Sequence, residues 1–317
     1  MQNHNTQDDG PFTKELAQGA HQMEPVYFRL EVLERYRNDP RYQVSYFDFG
    51  GGIHVLEQSQ GADTLSESDR IKIQRFGLAY QAGGTRAIIV FLYRLAELSL
   101  EHQLYWLSYR LHGKCSISPD YIRTSINAVP AQNVSVYQAF LQEQVVINNI
   151  AVEMDRAPLF RVTYDQISNI GRPREFSAFI RPTLKNYSEF VHLLDKLLSD
   201  NLNHKFFRGE ISSSTDGITK GTITMLDEWL RKEFRGSEEE VFPGIITPFR
   251  HVRSLRQNPA HNLEEDNYNP LFYRQQNELM KGAYWGVRSL RQLMHTHPDV
   301  QRTSFPDWMD HGSIVLY

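Results

Sequence analysis

The sequence predicts an α+β protein: an N-terminal module joining a small antiparallel sheet to helices, then a C-terminal bundle of four helices. Three observations carry this. Between residues 42 and 93, β-branched and aromatic residues cluster around Gly50-Gly51-Gly52 and Gly83-Gly84, the pattern of paired hairpins. From residue 183 to 297, apolar residues recur at helical spacing. Thr247-Pro248 and Asn269-Pro270 pair a capping residue with a first-turn proline, a helix-start signal used twice. The expected organisation is a flexible arm over residues 1–22, an α+β module over 23–175 and a helical domain over 176–317.

Taken in order, the arm is rich in Asn, Gln and Asp and poor in apolar residues. Val26, Phe28, Leu30, Leu33 and Tyr36 fall near helical spacing, and Asp39-Pro40 closes that helix. Two hairpins follow, turning at the glycine clusters. Helices are expected over 100–112, 119–126 and 135–154, the last with Ser135 and Gln138 as a capping box. Thr183 caps a helix striped by Leu184, Tyr187, Val191, Leu194 and Leu198. Residues 218–234 form the next helix, stopped by Gly236. Helices from Pro248 to Asn258 and from Leu271 to His297 complete the bundle.

Composition narrows the function classes. The chain has 317 residues, a net charge of -4 and a single cysteine, Cys115. An intramolecular disulfide and a cysteine-rich metal site are excluded, and a cytoplasmic location is the expectation. A mildly acidic chain does not coat nucleic acid by bulk charge, so RNA or DNA contact requires a local basic patch. No apolar run reaches membrane-spanning length, so no membrane partner is expected. The glycine clusters match neither a dinucleotide fingerprint nor a Walker loop, and no cofactor is expected. The histidines show no His-Glu-x-x-His and no other ligand spacing, so no metal is expected either.

The most chemically specific segment is Arg256-Gln257-Asn258-Pro259-Ala260-His261. Arginine presents a charged donor fork that fits phosphate, and histidine titrates near neutrality. On an unbroken helix two residues at this spacing point about 140° apart. Pro259 is expected to end or kink the helix near Asn258 and turn His261 back toward Arg256. Arg250, Arg253 and Arg256 recur every third residue as a basic ridge, and Arg288 and Arg291 lie on the following helix. An antiparallel neighbour would gather these arginines with Gln257 into one phosphate-binding patch.

This Arg-x4-His segment within a four-helix pattern resembles the HEPN superfamily, over the last third of the chain. Many HEPN proteins carrying the motif are metal-independent endoribonucleases in toxin–antitoxin, phage-defence or RNA-processing systems, acting as dimers with two motifs facing one cleft. The resemblance implies catalytic roles for Arg256 and His261, with Asn258 beside them, RNA as substrate and a 2′,3′-cyclic phosphate product. It also implies a homodimer, assisted here by Phe272, Tyr273, Tyr284 and Trp285 on the longest helix, and an inhibitory or activating protein partner. The family's polar residue usually follows the arginine directly; here Gln257 stands there and Asn258 comes one later. A second reading stays open: a non-catalytic bundle for dimerisation or for binding nucleic acid or a partner, with Arg256 paired to Glu264 or Glu265 and His261 capping a helix.

Overall fold

The computed structural model of the chain describes residues 9–55, 71, 73, 75–164, 173, 175–236, 240–257 and 266–317. They form two compact units, Met1–Gln132 with Tyr317, and Asn133–Leu316.

The first unit runs α1 (Pro11–Ala17), β1 (Pro25–Arg29), α2 (Glu34–Asn38), β2 (Tyr42–Phe47), β3 (Gly50–Val55), β4 (Phe76–Tyr80), β5 (Arg86–Phe91), α3 (Leu92–Ala96), α4 (Leu100–Ser108), β6 (Ser116–Ile117) and α5 (Pro119–Ser125). The sheet order is β1-β5-β4-β3-β2, with β6 added to β4, and every pair is antiparallel. Both expected hairpins are present. In the second, Gly83 and Gly84 adopt φ of 92° and 82°, which a side chain disfavours.

Three expectations for this region are corrected. Residues 25–29 are a strand, not a helix: Val26 and Phe28 are buried at a spacing of two, against β5. The triple glycine lies inside β3 rather than at the turn. A Cβ on Gly51 would sit 2.0 Å from the Ser45 carbonyl and 2.5 Å from the Phe76 ring. Residues 11–17 of the expected arm form α1, whose Phe12 is fully buried. Gln103 on α4 caps that helix from a distance. Its Oε1 accepts from the Phe12 and Thr13 amides at 3.0 and 3.2 Å.

The second unit runs β7 (Val134–Ser135), α6 (Val136–Glu153), α7 (Leu184–Leu197), β8 (Ser214–Thr215), β9 (Ile218–Thr219), α8 (Thr222–Glu233), α9 (Val241–Gln257), α10 (Leu271–His295), α11 (Trp308–His311) and β10 (Ile314–Val315). Ser135 and Thr183 cap α6 and α7 as expected, accepting from the Gln138 and Asn186 amides. The division falls after residue 132, not 175, because α6 belongs to the helical unit. Its Phe140, Ile147 and Ile150 join one buried cluster with Leu194, Trp229, Phe249 and Val287. The expected four helices are therefore packed with a fifth. Pro248 does not open α9 but lies within it, with its ring against Gly286 of α10. Gly286 leaves room for that ring: an added Cβ would meet Pro248 Cγ at 3.0 Å.

Candidate functional site

The C-terminal half of α9 carries the candidate arginines. Phe249 and Val252 anchor the helix in the core, Arg253 and Arg256 follow half-buried on the same face, and Arg250 lies exposed at its flank. Arg253 and Arg256 both turn toward the end of α7. Arg256 Nη1 donates to Asp195 Oδ2 at 2.6 Å and also to Asp200 Oδ2. Arg253 Nη2 donates to Asp200 Oδ1 at 2.5 Å, and its Nε lies 3.1 Å from Asp195 Oδ1. Two guanidinium groups are thus clasped between two carboxylates.

The two acids differ in setting. Asp195 has 0% side-chain exposure, whereas Asp200 retains 34%. Burial pushes the Asp200 carboxyl upward, but hydrogen bonds from Arg256 and Arg253 outweigh it and hold the group below the usual carboxylate range. The same contacts, from Asp195 first and Asp200 second, raise Arg256 further above its ordinary value.

Beside this cluster opens a cleft of about 620 Å³ bordered by Arg161, Asp200, Lys220, Arg250, Arg253 and Gln257. The first turn of α8, residues 222–224, lines its wall. Gly221 gives that helix no side-chain cap, so its positive end faces the cleft uncovered by a capping group. Several of the cations have carboxylate partners: Lys220 holds Glu228 at 2.6 Å and Arg250 holds Asp227 at 2.7 Å. Among the described residues Arg161 forms no ion pair, and its side chain is exposed.

Arg250, Arg253 and Gln257 are brought to one cleft, with Arg256 adjoining it through the shared Asp200. His261 and Asn258 lie outside the described residues, as do Glu264 and Glu265. Arg288 and Arg291 do not belong to the cleft. Arg288 donates to the Tyr284 hydroxyl at 2.9 Å, and Arg291 is buried against Glu143 and Asp310. Their face of α10 is turned to α6 and α11, so no patch of five arginines forms. Of the four aromatics assigned to a dimer face, only Trp285 is exposed; Tyr284 is buried, and Phe272 and Tyr273 pack against the core.

The residues missed by sequence reasoning are Asp195 and Asp200. A signal for Asp195 was present. It follows Val191 by four and precedes Leu198 by three, so it sits on the buried stripe of α7. A carboxylate on such a stripe demands a charged partner.

Among the described residues, no group of three or more His, Cys, Asp or Glu side chains is placed to hold a metal ion. No helix there is long and apolar enough to cross a membrane. Comparison of the chain with protein-family models, curated proteins and solved structures finds no match.

Proposed function

We propose that the second unit acts on RNA, binding its phosphodiester backbone at the cleft beside α9 and cleaving it without metal, as the HEPN resemblance implies. One observation supports this above the others. Arg250, Arg253 and Gln257 converge on one open cleft that also receives the uncapped start of α8. Backbone amides at a helix start and arginine forks are complementary to phosphate oxygens.

In the proposed reaction the RNA 2′-oxygen attacks the adjacent phosphorus and the P–O5′ bond breaks. A base takes the 2′-hydroxyl proton and an acid supplies one to the departing 5′-oxygen. His261 fills one of these roles, and a second copy from a partner protomer fills the other. Arg256 stabilises charge growing on the phosphoryl oxygens. The products are a 2′,3′-cyclic phosphate and a 5′-hydroxyl.

A second reading is favoured by a specific observation: Arg253 and Arg256 are already held by carboxylates. A bundle in which those pairs only fasten α9 to α7 would bind a partner or nucleic acid without chemistry. Incubation of the full chain with RNA in EDTA separates the two. Cleavage that yields cyclic phosphate ends and is lost in His261→Ala supports the nuclease. RNA binding with no cleavage by the wild-type protein supports the binding module. Light scattering reads the association state: the nuclease reading expects a dimer.

A further inference from the structure

Resting on the reading that this unit binds RNA, we infer that Arg253 and Arg256 form a two-pronged phosphate seat that Asp195 builds and the Asp200 carboxylate occupies, so that a phosphodiester binds by displacing Asp200.

The asymmetry of the two acids carries the argument. Asp195 comes from the body of α7, is shut off from solvent and touches both arginines. It fixes where the guanidinium groups stand. Asp200 comes from the loop after α7, is a third exposed and forms part of the cleft wall. It offers one oxygen to each arginine, Oδ1 to Arg253 and Oδ2 to Arg256. Two oxygens on one centre, each taken by a separate guanidinium, is also how a phosphodiester presents its two non-bridging oxygens. A phosphate entering from the cleft meets Asp200 and not Asp195.

Energetics favour an exchange over a simple addition. Adding an anion beside Asp200 sets like charges together in a half-buried site, which disfavours binding. Replacing Asp200 keeps both arginines paired and returns the carboxylate to water, where its hydration is recovered. Arg161 and Arg250, both exposed along the same cleft, are placed to hold the neighbouring phosphates of the strand. Asp200 thereby sets a threshold: short or weakly charged ligands do not displace it, and a backbone with several phosphates does.

The test compares Asp200→Asn and Asp195→Asn in the full chain, with a short single-stranded RNA and inorganic phosphate as separate probes. If Asp200 fills the seat in about nine molecules of ten, removing its charge tightens RNA binding about tenfold. Asp195→Asn is expected to weaken RNA binding instead, because the arginines lose their fixed position. Arg253→Gln is expected to lower the salt dependence of RNA binding by about one counterion. Weaker or unchanged RNA binding by a folded D200N overturns the proposal. So does failure of D200N to fold, because the seat requires Asp195 and not Asp200 for structure. Tighter binding of inorganic phosphate with no gain for RNA also overturns it, since the seat is then built for a free anion. Tighter RNA binding by D200N with no cleavage by any form leaves the seat standing and removes the nuclease. Cleavage by the wild type with no gain in D200N does the reverse.

Discussion

The Arg291 guanidinium on α10 lies 2.7 Å from the Glu143 carboxylate on α6, and both side chains are closed off from solvent. Arg291 also reaches Asp310 at 2.8 Å and lies over the Phe305 ring, 4.4 Å from its centre. One arginine therefore joins α6, α10 and α11. Replacing it by Met leaves Glu143 and Asp310 without their cation. Loss of one partner from a buried pair costs about 3–5 kcal/mol. Urea unfolding of Arg291→Met measures this, and the double variant with Glu143→Leu is expected to recover a large part of the loss.

The same pair makes stability depend on pH. Burial raises the Glu143 carboxyl from an ordinary 4.5 to about 7, against the downward pull of Arg291. A raised carboxylate means that the folded chain binds more protons than the unfolded one. The stabilisation is complete below pH 4.5 and is lost as pH rises through about 7. Thermal melts from pH 5 to 8 should fall for the wild type, and Glu143→Gln should flatten that slope. The cost of Arg291→Met should be larger at pH 8 than at pH 5, because Glu143 is then charged.

In the first unit the Tyr121 ring lies directly over Gly77. A Cβ there would stand 2.3 Å from the ring carbon Cδ1, inside any allowed contact. Tyr121 is only 3% exposed and packs with Phe91, so a shift of the ring disturbs that packing. Gly77→Ala is expected to destabilise the chain by about 1–3 kcal/mol through overpacking. Denaturant midpoints check this.

Gln103 is the tether of α1. Besides accepting from two amides of that helix, its Nε2 donates to Thr13 Oγ1, Ala96 O and Leu98 O. Gln103→Ala leaves those amides without their acceptor in a part-buried place, at about 1–3 kcal/mol for the unsatisfied groups. The expected result is selective protease cleavage near residues 11–22, with later segments still protected. Equal protection of that segment in wild type and variant would show that Phe12 packing alone holds α1.

The local elements were legible because their signals are short-range. The caps at Ser135 and Thr183, the glycines at 83 and 84, and the 3.6-residue stripe of α7 depend only on neighbours in the chain. Residues 25–29 were misread because five residues support a helical and an alternating pattern equally well. Pairing with β5, about sixty residues away, decides between them. Pro248 misled because a proline, which lacks an N–H to donate, belongs by local rule at a helix start; here it lies inside the helix with its ring against Gly286 of the neighbouring helix, a contact that no local signal announces.

For the candidate site, sequence alone determined which residues have suitable chemistry and that Arg250, Arg253 and Arg256 share one side of a helix. Only tertiary structure decided which of them meet. It brought Arg253 and Arg256 to Asp195 and Asp200, more than fifty residues away, and sent Arg291 inward to Glu143, nearly one hundred and fifty away. The reason is physical. Helical periodicity fixes the direction of a side chain relative to its own axis, whereas its partner depends on which helix packs there and at what rotation. A charge buried by that packing must find its opposite or lose the charge, and no local rule of sequence states where that opposite lies.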